Sequence, residues 1–182
     1  MTPQLLTPEL LKRFDQTLHS AGAPIIRAWR PGLDDGQIDA LTRPHSFELP
    51  DEARVWWRWH DGGGREEITP NRVATTLQRT LEVFGAVRGA MLDAQGVDMR
   101  LMPVSEQPWI FFDCSGARDA PVPIYVGGHG ESDRYALPSI GELVAIWIDL
   151  IEIGAYAIDD SGAWKDTNWD LLPARVQQLG VY

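Results

Sequence analysis

Cysteine is nearly absent from this chain. Cys114 is the single one among 182 residues, which excludes an internal disulfide and a multi-cysteine zinc site. Positive charge is also scarce. Acids outnumber bases 26 to 16 and leave a formal charge of −10, so the basic footprint that phosphate recognition requires is missing and autonomous nucleic-acid binding is not expected. No apolar run reaches membrane-spanning length, because the longest candidate, Ile146 to Ile153, is interrupted by Asp149 and Glu152. The opening Met1-Thr2-Pro3-Gln4 lacks the basic-then-apolar order of a signal peptide. These absences lead to the expectation of a soluble, cytoplasmic, reduced protein. The 44% hydrophobic fraction and eight tryptophans supply ample material for one core.

The most informative stretch runs from Leu49-Pro50-Asp51-Glu52 to Trp59-His60-Asp61-Gly62-Gly63-Gly64. It reads as a helix that Pro50 opens at its first position, with Asp51 and Glu52 at the positive end of the dipole. Val55, Trp56 and Trp59 share the face expected to be buried, and Gly62 supplies the left-handed closing residue. Trp57 lies about 100° round the helix from Trp56 and is either a second buried face or an exposed anchor for a partner.

Other elements carry comparable signals. Thr7-Pro8-Glu9 opens a helix with Leu10, Leu11, Phe14 and Leu18 on one face and Gly22 at its end. Ile25 to Trp29 reads as an edge strand. Asp34 and Gln37 form a capping box for a short helix carrying Ile38 and Leu41. Thr69-Pro70 is expected to start a helix through Val73, Leu77, Leu81 and Phe84, with a continuation over Ala86 to Gln95. Three short apolar runs, Leu101–Val104, Trp109–Asp113 and Val122–Val126, fit strands separated by turn residues. Ser139 and Glu142 cap a helix that places Leu143, Ile146, Trp147, Leu150 and Ile151 inward and ends at Gly154. Ala155 to Ile158 reads as a further strand and Asp170 to Leu179 as a terminal helix. Together they predict one α+β domain, a mostly antiparallel sheet bracketed by helices.

Chemistry is harder to find. No Gly-x-Ser-x-Gly elbow supports a hydrolase. His60 or His129 beside Cys114 would make a Cys–His pair, yet a lone cysteine closing an apolar run reads as a small core residue. The four histidines His19, His45, His60 and His129 show no ligand spacing, and the acid pairs Asp34-Asp35 and Asp159-Asp160 lack the alternating ligands of a calcium loop. Gly127-Gly128-His129-Gly130 is followed by Glu131 and Asp133, which would repel a phosphate. No catalytic group, metal or cofactor is therefore assigned.

The order of these pieces resembles the SUKH superfamily, in its Smi/Knr-type branch of fungal cell-wall assembly regulators and bacterial immunity proteins. The similarity begins at Gly32-Leu33-Asp34-Asp35-Gly36-Gln37-Ile38 and passes through Phe47-Glu48-Leu49-Pro50 and Trp59-His60-Asp61-Gly62-Gly63. It continues with Leu101-Met102-Pro103-Val104, Trp109-Ile110-Phe111-Phe112-Asp113 and Pro121–Tyr125, and closes on Leu137-Pro138-Ser139 and the helix behind it. What the resemblance implies is a SUKH-like domain over 32–160, with an N-terminal helical extension over 1–31 and a C-terminal extension over 161–182 in the same globule. Its signature positions here are Leu49, Pro50, Trp59, Asp61, Gly62, Gly63, Pro103, Asp113 and Ser139. It also implies binding and not catalysis: an immunity-type protein that neutralises a polymorphic toxin, with a basic toxin domain such as a nuclease as partner. A regulatory or scaffold module with an endogenous partner is the alternative reading, and a small-molecule-binding or hydrolytic domain using Cys114 a weaker one. Exposed loops are where such a partner would dock, which points to Glu66 and Glu67, to Glu131 and Asp133, and to Trp57 if it faces outward.

Overall fold

A computed structural model describes residues 2–45, 48–85, 100–106, 109–127, 134–165 and 167–179. Among them, six strands form one antiparallel sheet in the order β1 (Glu67–Thr69), β2 (Arg72–Ala74), β3 (Leu101–Glu106), β4 (Trp109–Asp113), β5 (Ile124–Gly127) and β6 (Arg134–Leu137). Each strand pairs with its sequence neighbour, so the sheet is a meander. The helices are α1 (Pro8–Ala21), α2 (Asp35–Thr42), α3 (Asp51–Trp59), α4 over 77–85, α5 (Ile140–Glu152) and the short α6 (Ala174–Gln177). The α+β expectation is met.

The helix ends follow from their capping residues. Thr7 accepts from the Leu10 N–H at 3.2 Å, and Gly22 closes α1 at φ +75°. Asp34 and Gln37 complete a reciprocal capping box, both bonds at 2.8 Å. Ser139 caps α5 through the Glu142 N–H at 3.1 Å. Pro50 sits one position earlier than expected, as the N-cap of α3. The glycines do not close that helix. His60 does, in extended conformation at φ −147°, and bridges to Pro31. Gly62, at φ +78°, belongs to the turn that follows.

Packing rotates α3 from the face that hydropathy suggested. Trp56 and Trp57 are both buried and meet Phe112 of β4 at ring-centroid distances of 5.7 and 5.8 Å. Val55 and Trp59 are partly buried at the core's edge. Trp59 is mostly buried and packs against the core from its edge, as expected, while the large indole of Trp57 takes the sheet-facing position beside Trp56. Trp147 of α5 joins the same cluster through Trp56 and Phe14, and α1 packs on α5 and α3. Met102, Val104, Ile110, Phe112, Ile124 and Val126 line the sheet's contribution to this core.

Four other expectations are corrected. Pro24–Arg27 is a 3-10 turn instead of an edge strand: Pro24 starts it, and Ile25 is buried beneath Gly63. Thr69-Pro70 begins no helix. Pro70 and Asn71 form the turn of the β1–β2 hairpin, with Asn71 left-handed at φ +60°, and α4 starts only after Thr76, whose Oγ1 accepts from the Arg79 N–H. Leu77, Leu81 and Phe84 are buried as expected of a helix, whereas Val73 belongs to β2. Residues 155–158 form no strand beyond an isolated Ile158–Trp164 bridge. The terminal helix is reduced to the 3-10 turn Trp169–Leu171 and four residues of α6, since Pro173 interrupts it. The continuation expected over 86–95 lies outside the described residues.

The chain before α1 lies directly on the first turn of α5. A Cβ at Gly141 would come within 2.3–2.6 Å of the backbone of Gln4 and Leu5. Replacing a helical glycine by alanine ordinarily gains roughly 1 kcal/mol. Gly141→Ala should instead destabilise the protein by about 1–3 kcal/mol through the clash. Urea unfolding measures this, and an unchanged or raised midpoint would show that the N-terminal segment does not press on α5.

Candidate functional site

The turn from Asp61 to Glu67 projects from a base made of buried contacts. Asp61 is 7% exposed, and its Oδ1 accepts from the Leu77 N–H at 2.7 Å, holding the start of α4. A Cβ on Gly62 would lie 3.0 Å from the Ala74 carbonyl, and one on Gly63 would lie 1.9 Å from Ile25 Cδ1. Gly62 is thus required by its left-handed backbone and the close neighbouring chain, whereas Gly63 leaves room for the Ile25 side chain. The Gly62 carbonyl accepts from the Arg30 N–H and the Gly63 carbonyl from the Glu66 N–H. From this base the turn exposes Arg65 and Glu66 to solvent, and Glu67 in part.

Two clefts flank it. One, of about 380 Å³, is walled by Arg65, Glu66, Glu67 and the 161–164 turn. Trp164 fixes that wall by donating its Nε1–H to the Glu67 carbonyl at 3.0 Å. The second, of about 430 Å³, lies between Arg30, Arg65 and Arg79 over the end of β2. Sequence reasoning singled out Glu66 and Glu67 but missed the arginines, which come from three separate segments and share no spacing.

Trp57 does not belong to this surface. It has no solvent exposure, so the exposed-anchor reading is corrected: its ring is packed on Phe112. Glu131 and Asp133 lie outside the described residues, as does most of the Gly127–Asp133 loop.

The remaining signature residues serve the framework. Leu49 and Pro50 are buried at the head of α3. The Pro103 carbonyl accepts from Thr80 at 2.8 Å and from Thr75 at 3.3 Å, tying α4 to β3. Asp113 accepts from the Ser115 N–H at 3.0 Å and from the Tyr135 hydroxyl at 2.6 Å. Burial and that carboxylate together push the Tyr135 phenol up to about 12. Ser139, besides capping α5, donates to the Gln4 carbonyl. Cys114 is fully buried, and burial, aided by Asp113, raises its thiol far above the range in which a thiolate nucleophile forms. The hydrolytic reading that used Cys114 loses its nucleophile.

His60 is similarly occupied. Its Nδ1 is 3.1 Å from the Arg30 carbonyl, its Nε2 is 3.7 Å from Asp15, and its ring stacks on Trp29 at 4.3 Å. Both nitrogens are directed at protein acceptors. Asp15 also accepts from Trp59 Nε1 at 2.8 Å, which joins α1 to the end of α3. Among the described residues no group of three His, Cys, Asp or Glu side chains could hold a metal, and no helix is long and apolar enough to cross a membrane.

No protein-family model matches this chain, and no curated protein matches it.

Burial pushes the Asp15 carboxyl up, but bonds from His60 and Trp59 and the charge of the neighbouring histidines outweigh it and hold the group below its usual 3.8. A depressed carboxyl contributes stability above its unfolded value and loses it as pH falls through the folded one. Asp15→Asn should therefore cost about 1–2 kcal/mol near neutrality. The gap from wild type should narrow as acid is added below about pH 4. Urea unfolding across that range is the check. A gap that stays constant would mean that the carboxylate charge contributes nothing.

Proposed function

We propose that this chain is a non-catalytic, cytoplasmic protein-binding module of the immunity type, which blocks a toxin domain through its 63–67 turn. The observation that supports the reading is the construction of that turn. Asp61, Gly62 and Gly63 are locked into buried contacts, while Arg65, Glu66 and Glu67 stand between two open clefts. A surface arranged in advance spares a partner the entropy of ordering it. Its acids suit a basic partner, as does the net charge of −10, because opposite charge accelerates encounter. The residues that would have favoured chemistry, Cys114 and His60, are engaged in the interior or with protein acceptors. A reduced compartment accommodates the lone free thiol.

Co-expression with a toxin domain, sought among the genes next to this one, tests the reading. The chain should rescue growth and bind the purified domain. Charge reversal by Glu66→Lys with Glu67→Lys should slow association about tenfold at low salt and much less at high salt. Failure of the wild-type chain to rescue or bind would overturn the immunity reading and leave the scaffold alternative. Binding that survives charge reversal at both salt concentrations would move the contact away from this turn.

A further inference from the structure

We propose that the cleft between Arg30, Arg65 and Arg79 is a binding site for a compact oxyanion, a phosphoryl or carboxylate group carried by a small ligand. This goes beyond protein docking and does not depend on it.

The chain carries ten more acids than bases, yet three arginines line one cleft of about 430 Å³, and none of the described residues that line it is acidic. Its other lining residues are Gly64 and the 73–76 segment, which contributes the hydroxyl-bearing Thr75 and Thr76. Three cations gathered in one concavity repel one another, and an anion placed among them turns that repulsion into attraction. Guanidinium is the side chain whose planar fork matches the paired oxygens of phosphate and carboxylate.

Placement supports the same conclusion. Arg30 is fixed at both backbone atoms, its N–H on the Gly62 carbonyl at 3.0 Å and its carbonyl on His60 Nδ1 at 3.1 Å. Arg65 rides on the anchored turn. Arg79 stands in the first turn of α4, where its N–H bonds Thr76 Oγ1 at 3.0 Å. Its guanidinium lies 3.5 Å from Glu82, in a pair whose members are both more than half exposed. Asp61, the buried acid beside Gly62, accepts from the Leu77 N–H. A long polyanion fits poorly, because Glu66 and Glu67 stand just across Arg65. The site favours one small charged group over a nucleic-acid backbone.

Titration of the full-length, isotopically labelled chain at low ionic strength, followed through its amide resonances, tests this. Pyrophosphate is the probe in one arm and succinate in the other. Saturable shifts confined to Gly64, Arg65, Thr75, Thr76 and Arg79 are expected in at least one arm. Saturation by pyrophosphate alone assigns a phosphoryl ligand, by succinate alone a carboxylate ligand, and by both a general oxyanion site. Arg30→Gln and Arg65→Gln should each weaken binding at least about tenfold, since each removes a charge-assisted fork. Arg27→Gln, an exposed neighbour outside the cleft, should leave it unchanged. Shifts that do not saturate in either arm would overturn the proposal. So would saturation that survives Arg30→Gln and Arg65→Gln.

Discussion

The Glu52 carboxylate accepts from the N–H groups of Leu6 at 2.8 Å, Val122 at 2.7 Å and Gly141 at 2.9 Å. These three come from the segment before α1, the approach to β5 and the first turn of α5, so the relative placement of those elements is set at one side chain. Glu52 is only 6% exposed, and burial, outweighing the backbone bonds, lifts its carboxyl above the ordinary glutamate value. Removing such an acceptor would leave several buried N–H groups unsatisfied at once, each costing about 1–3 kcal/mol. Nearby, the Ser139 hydroxyl and the absent side chain of Gly141 let the N-terminal segment lie against α5. Helix α3 is therefore both a core helix, through Trp56 and Trp57, and the carrier of the carboxylate that joins both ends of the domain.

A second polar tie on α3 works from its other face. Arg54, 5% exposed, bonds Asp39 at 2.7 Å and Asp35 at 2.8 Å, and Arg58 reaches Asp35 at 3.3 Å. Together these pairs dock α2 against α3. At the far end of the helix, Asp15 holds Trp59 and His60, and Asp61 hands the chain on to α4. The acidic residues of this region are thus divided. Glu52 and Asp61 are interior connectors, whereas Glu66 and Glu67 remain at the solvent boundary. That division concentrates the candidate function on one turn and its two clefts.

Local signals in the sequence were legible where local chemistry decides. The caps at Thr7, Asp34 and Ser139 marked α1, α2 and α5, and the apolar runs marked β3, β4 and β5. The β1–β2 hairpin was missed because Thr69-Pro70 also resembles a helix start. The signal that could have found it is Pro70-Asn71 between the short runs Ile68-Thr69 and Val73-Ala74. The rotation of α3 was illegible for a different reason. Hydropathy ranks Val55 and Trp59 with Trp57, and only the shape of Phe112 and its neighbours selects among them. Glu66 and Glu67 were singled out by their position after a glycine turn. Arg30, Arg65 and Arg79 are brought together only by the tertiary fold, and nothing in their spacing announces it.

Amide hydrogen exchange on wild type and Glu52→Ala tests the central claim, that one carboxylate fixes three segments. The N–H groups of Leu6, Val122 and Gly141 should lose protection together in the variant, while amides in β3 and β4 retain theirs. Loss confined to Leu6, with Val122 and Gly141 still protected, would contradict the account and make Glu52 a clasp for the N-terminus alone.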